Sequence, residues 1–359
     1  MSIKVSVLVT AYNQEKYIQD CINSILNQTY QNFEIIINND CSTDRTSEKI
    51  NEIKDSRIKM HNSEYNQGIN AALNNAYALS DGDLIVFMGG DDMSKPNHLE
   101  TVVNFFENNP DVDVTYCNLA KIDENNNNYR FRKKYIINVL DKDLLHYGLL
   151  KGNFGISPGM AVKRSFFEKI VPLPYSLVNY QDVKMHFELL AAGAKFAQIE
   201  DKLVDYRICS NNISKPNLIT KLRSKLETDF LMDTFFKITD INILEKSFEK
   251  EIIQTGIKPY PETLSYFYGR MAMLSQNCDV IAWGYRKIVE FMSTKENFNL
   301  VNQRYGLEFK DFLKLVAASE NSFFAKGLKY KKAFNITLVI SILLSLVAVT
   351  FAALFFIQN

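Results

Sequence analysis

The 359-residue chain contains no CxxC pair, no HExxH and no GxGxxG. The first two absences exclude the common zinc signatures, and the third disfavours a dinucleotide fold. An excess of either charge is missing too: Lys+Arg and Asp+Glu both number 41, so the formal net charge is zero. That argues against a general nucleic-acid binder, which carries a basic excess. The five cysteines, Cys21, Cys41, Cys117, Cys209 and Cys278, are scattered. An odd, dispersed set fits buried thiols in a reducing compartment better than a disulfide framework. The opening MSIKVSVLVT enters a strand-like run at once and lacks signal-peptide architecture.

What the chain does have is apolar bulk, with 47% hydrophobic residues, 25 Phe and 18 Tyr. The length suits two or three structural units. There is one long uncharged run, residues 336–357, ITLVISILLSLVAVTFAALFFI. As a helix it would span roughly 33 Å, close to hydrocarbon thickness. Lys326, Lys329, Lys331 and Lys332 precede it. The lysine bias predicts a single-pass C-terminal anchor, residues 333–359, in the inner membrane, with the rest of the chain in the cytoplasm.

The first 120 residues alternate short apolar runs with helical periodicity. Strands are predicted at 5–9, 33–37, 57–61 and 83–88, and helices at 14–28, 42–53 and 69–80. Asn13 is available as the first helix's N-cap. This alternation predicts βαβ units and a mostly parallel sheet flanked by helices. Ligands bind such sheets beyond the carboxyl ends of the strands. The segments lying there, TAYNQ, NNDCSTD, NSEYNQG and GGDD, are polar and carry Asp40, Asp44, Asp91 and Asp92. Acids gathered on one crest suit a divalent cation better than an anion. Beyond residue 120 come a polar loop at 122–135, a loop, strand and helix at 152–167, and helix then strand at 180–200. Residues 218–332 read as mostly helical, without repeat or chemical motif. The organisation predicted is thus 1–217, 218–332 and 333–359.

Five stretches in order, VSVLVTAYNQEKYI, FEIIINNDCSTDRT, NQGINAALNNAYALSDGDLIVFMGGDD, QDVKMHFELLAAG and VDYRICSNNIS, resemble the family 2 glycosyltransferases. The resemblance covers residues 3 to about 214. It implies a GT-A fold, single displacement with inversion, a nucleotide-sugar donor (commonly UDP-linked) and Mg²⁺ or Mn²⁺. It also implies a glycan or lipid-linked acceptor in cell-surface polysaccharide or glycoconjugate synthesis. By the same resemblance Asp92 is the metal ligand and Asp91 a ribose or outer contact, with Asp182 the general base. Ala11, Tyr12, Asn13, Asp40, Asn66 and Gly68 match nucleotide-binding loops, and Arg207 a position near the diphosphate.

Plainer readings stand beside these. Asp91-Asp92 could be a solvated turn capping the next helix, Asp40 and Asp44 helix caps, Asn66 and Gly68 an ordinary turn, and Asp182 an acid at a helix start. The chain also departs from the frequent family pattern. It has Asn39-Asp40-Cys41 in place of two acids and a glycine, Gly89 in place of an acid, and Leu73 in place of an arginine. A non-catalytic, membrane-tethered nucleotide-sugar-binding subunit is the alternative. A processive synthase fits less well, since its QxxRW is absent and the only Trp, Trp283, lies in IAWGYRK.

Overall fold

The computed structural model describes residues 2–128, 141–209 and 217–318. The apolar run at 336–357, the lysines before it and the end of the YRICSNNIS motif lie outside the described residues. Among the described residues no helix is long and apolar enough to cross a membrane. The chain divides into two compact units, Met1–Glu249 and Lys250–Asn359.

The first unit is built on an eight-stranded sheet. Its strands are β1 (Val5–Ala11), β2 (Phe33–Asn39), β3 (Ile58–Asn62), β4 (Leu84–Gly89), β5 (Met93–Ser94), β6 (Val114–Ile122), β7 (Ala161–Lys163) and β8 (Phe196–Arg207). They lie in the order β3-β2-β1-β4-β7-β6-β8-β5. The first four are mutually parallel, as their βαβ pattern predicts. β1, β2 and β4 are buried almost throughout, as strands covered on both faces must be, while the edge strand β3 is only partly covered. The second half adds two reversed strands to the mostly parallel sheet. β7 runs antiparallel to both β4 and β6, and β5 antiparallel to β8, so the sheet is mixed.

Helices α1 (Ile18–Leu26), α2 (Thr46–Asn51), α3 (Ile69–Ala78) and α4 (His98–Asn108) cover the parallel half. Ile18, Cys21, Ile22 and Ile25 of α1 join Val5, Val7 and Val9 of β1 and Leu99, Val102 and Phe106 of α4 in one core. On the other half lie α5 (Asp141–Lys151), α6 (Arg164–Phe167) and α7 (Gln181–Ala191), followed by α8 (Leu218–Met232) and α9 (Ile241–Ser247). Next comes α10 (Glu249–Thr255), and in the second unit α11 (Leu264–Ala272) and α12 (Cys278–Met292) cross at two glycines. A Cβ on Gly269 would lie 2.7 Å from the Gly284 carbonyl oxygen, and one on Gly284 2.6 Å from that of Gly269. Only glycine allows so close a backbone approach. Trp283 is fully buried beside the crossing.

Candidate active site

β4 and β6 both oppose β7, so they run the same way, and β8 runs with β6. Six strands therefore end on one edge of the sheet, and Ala11, Asn39, Asn62, Gly89, Ile122 and Arg207 are their last residues. This crest collects every sequence-predicted site residue except Asp182, which opens α7.

The loops after β1 and β2 are stitched together by side chains. Asn13, in the left-handed region at φ 53°, accepts at Oδ1 the Thr43 N–H at 2.8 Å, and its own N–H donates to Ser42 Oγ at 2.9 Å. Asn13 is thus no N-cap, and α1 starts only at Ile18. Asp44 accepts the N–H groups of Thr46 (3.0 Å) and Glu15 (3.1 Å), so its carboxylate holds the loops and the start of α2. That tie leaves α2 shorter than its periodicity suggests. Ala11 is buried, and Tyr12 beside it is exposed.

Asp40 is buried, and both its oxygens accept backbone N–H groups from the loop after β3: Gln67 at 2.9 Å and Gly68 at 2.8 Å. Asn66 Nδ2 donates to the Asp40 carbonyl at 3.3 Å. Gly68 takes φ 87°, which a side chain would resist. Asp40, Asn66 and Gly68 therefore form one clamp. Cys41 adopts φ 57°, keeping the left-handed turn that a glycine normally fills at a cost of roughly 1–2 kcal/mol.

Asp91 and Asp92 follow β4. Asp92 is 2% exposed, and its Oδ1 accepts the Arg207 backbone N–H at 2.8 Å. Arg207, equally buried, donates from Nε to the Asp91 carbonyl (2.7 Å) and from Nη1 to the Asp123 carbonyl (3.0 Å) and Asn126 Oδ1 (2.6 Å). Its guanidinium also sits 4.5 Å from the centre of the Tyr17 ring. Burial, and for Asp92 the neighbouring Asp91 as well, pushes both carboxyls above their ordinary values, with Arg207 opposing. A bare pair of charges is therefore disfavoured here. Sequence reasoning missed Tyr17 and Asn126. The second had a signal in the asparagine run, since Asn tolerates the left-handed φ of 65° that this turn needs.

Gly89 explains how the two carboxylates come together. A Cβ on it would lie 2.8 Å from Asp91 Oδ1 and 3.0 Å from Asp92 Oδ2, so both oxygens converge on one point. Where the family pattern has a side chain, this chain has the space they share. Among the described residues no group of three His, Cys, Asp or Glu is placed to hold a metal ion. Two hard oxygens nevertheless fit Mg²⁺ or Mn²⁺, which keep several waters and take further oxygens from phosphates.

Asp182 lies in the first turn of α7, where its Oδ1 accepts the Val183 N–H at 2.8 Å. Burial pushes its carboxyl up to about 6. It lies close enough to Tyr116 to push that phenol further up, a group already raised by burial. Tyr116 packs edge-on against His186, one turn along α7, with ring centres 5.3 Å apart. Before α7, Glu227 of α8 accepts the N–H groups of Val178 (3.0 Å), Asn179 (3.0 Å) and Tyr180 (2.9 Å). Tyr116 and Glu227 belong to motif-free stretches, so the sequence carries no mark of them.

The raised carboxyl makes Asp182 a stability cost at neutral pH. A folded-state value above the unfolded one favours the fold below about pH 4 and is lost as pH rises through about 6. From 3.8 to about 6 the difference is worth about 3 kcal/mol at most. Asp182→Asn cannot ionise, so its melting temperature should exceed that of the wild type at pH 7 and match it at pH 4. Thermal melts at both pH values check this, and an equal or lower melting temperature at pH 7 contradicts it.

Polar loops and a carboxylate pair at the strand ends of a mixed α/β sheet are the arrangement of a GT-A-like fold. Residues 6–171 match glycosyl transferase family 2. An uncharacterized glycosyltransferase of Methanocaldococcus jannaschii is 31% identical over 65% of this chain and 79% of its own. The chain belongs to that family and is a glycosyltransferase. Another relative, the Escherichia coli protein WfaP, is described as a UDP-Glc:alpha-D-GlcNAc-diphosphoundecaprenol beta-1,3-glucosyltransferase. It is 29% identical over 58% of this chain and 79% of its own. Among solved structures, S. aureus TarS 1–349 in complex with UDP-GlcNAc superposes with a TM-score of 0.57 at 17% identity, covering 80% of this chain and 89% of that one. That likeness speaks to the fold alone.

Proposed function

We propose that the chain is an inverting, nonprocessive transferase. It moves a sugar from a nucleotide-sugar donor, UDP-linked, to a glycan or lipid-linked acceptor in cell-surface polysaccharide or glycoconjugate synthesis. The observation that carries the reading is the Asp91–Asp92 pair, whose oxygens converge beside Gly89. WfaP supports the donor and the lipid-diphosphate acceptor by its description.

Asp91 Oδ1 and Asp92 Oδ2 would hold Mg²⁺ or Mn²⁺, which supplies positive charge against the leaving nucleoside diphosphate. Ala11, Tyr12, Asn13 and the Asp40–Asn66–Gly68 clamp shape the nucleotide's seat. Arg207 fixes the height of Asp91 and Asp92 through its hydrogen bonds and adds a cation beneath them. Asp182 is the general base. As the acceptor oxygen bonds to the anomeric carbon, its proton passes to the Asp182 carboxylate, while the bond from that carbon to the diphosphate oxygen breaks. A carboxyl titrating near 6 is ionised at pH 7 yet more basic than an ordinary aspartate. A panel of nucleotide sugars, scored for binding and hydrolysis with Mg²⁺ or Mn²⁺, tests the reading. One donor bound tightly only with metal is the expected result, and no binder at all would overturn it.

The apolar run at 336–357 and the lysines before it would tether the enzyme to the inner membrane, the catalytic unit on the cytoplasmic side. Deleting residues 333–359 should change extraction from detergent-only to release by a salt wash, with donor binding kept. A truncated chain that still needs detergent contradicts the tether.

A further inference from the structure

Helix α8 leaves a broad apolar stripe uncovered. Where it meets the start of α7 its inward face is polar: Asn179 Nδ2 donates to Ser224 Oγ at 3.0 Å, Glu227 takes the three N–H groups at 178–180, and Thr228 is buried; Leu231 and Met232 are buried at its end. Its outward face is apolar. Leu218, Leu222, Leu226 and Phe230 recur every fourth residue and are 73%, 53%, 81% and 49% exposed, with Ile219 beside them. At ~100° per residue these side chains fill one arc of about 120°. Arg223 borders the arc on one side, and Lys221 and Lys225 on the other; the one acid within it is Asp229. All four charged residues are exposed. One ring in the stripe has a protein partner, since the Lys184 ammonium lies 4.4 Å from the centre of Phe230.

An apolar stripe bordered by cations on both sides matches the chemistry of an anionic lipid surface: acyl chains for the leucines, headgroup phosphates for Lys221, Arg223 and Lys225. We propose that α8 lies in the interface of an anionic bilayer, with Leu222 and Leu226 at the acyl boundary. The same helix holds, through Glu227, the turn that starts α7, two residues before Asp182. Docking α8 therefore sets Asp182 at a fixed height above the headgroups. The lipid contact stands on α8 alone and does not depend on the transferase reading, so its test uses no turnover.

The test is the full-length chain with Leu226→Trp, in bilayer discs of brominated phosphatidylglycerol and phosphatidylcholine. The only native tryptophan, Trp283, is fully buried and gives the baseline in the unsubstituted chain. The added emission should shift to the blue in the discs and be lost to bromine quenching. Lys221→Gln, Arg223→Gln and Lys225→Gln, added together, should weaken the preference for anionic lipid about fivefold per cation, on the order of a hundredfold in all. These positions are exposed, so matching circular dichroism melts should show the fold intact. Water-like, unquenched emission in the discs overturns the proposal. So does a blue shift already present without lipid: growing with protein concentration, it means a second copy covers the stripe, and otherwise another part of the chain does.

Discussion

Replacing Asp182 with Asn should slow sugar transfer by roughly 10² to 10⁴-fold while leaving donor affinity near wild type. That loss corresponds to about 3 to 5 kcal/mol of barrier. Asn keeps the shape of Asp and can keep the 2.8 Å contact from the Val183 N–H. It cannot take the acceptor's proton. The wild-type rate should also fall below about pH 6 as the carboxyl protonates, and the Asn variant should lose that limb. Loss of donor binding together with activity would instead make Asp182 a donor contact. Full activity in Asp182→Asn would move the base elsewhere.

The second large effect is expected at the carboxylate pair. Asp91→Asn removes one of the two oxygens that converge beside Gly89, along with one of two crowded charges. Metal-dependent nucleotide binding should weaken and most of the transfer rate should go, because a bound divalent ion is worth several kcal/mol of charge stabilisation. Asp92→Ala should lose as much activity and also fold less well, since Asp92 is buried under the Arg207 N–H. Asp91→Asn is therefore the cleaner variant. By relieving burial and repulsion it should melt no lower than wild type in the absence of metal. Titrating nucleotide with and without Mn²⁺ reads the effect directly. Unchanged metal dependence in both variants would remove the pair from the metal site.

The parallel half of the sheet was legible because its strands are short apolar runs separated by amphipathic helices, a pattern that burial on both faces imposes. β7 and α6 are the strand and helix expected within 152–167, whereas β5 was not legible, being two residues long and set by pairing with β8 rather than by periodicity. β6 escaped because only its two ends are deeply buried, and it reads like a loop between them. The crest acids were visible as a group, but their division of labour was not. Both oxygens of Asp40 and of Asp44 accept backbone N–H groups, and only coordinates separate these carboxylates from the pair at 91 and 92, where one oxygen of each converges beside Gly89. Gly89 and Cys41 looked like losses from the family pattern. The structure gives each a physical reason: Gly89 leaves room where two carboxylates meet, and Cys41 holds the left-handed turn.

Whether the Asp91–Asp92 crest and Asp182 carry out inverting transfer from a nucleotide sugar is decided by proton NMR of turnover. The full-length protein is incubated with Mg²⁺ or Mn²⁺ and each nucleotide sugar in turn, and the anomeric proton is followed from the first minutes. One donor should be consumed, and the new anomeric signal should have the opposite configuration to the donor. Retention of configuration, or no donor consumed by an enzyme that binds one, would contradict inverting transfer.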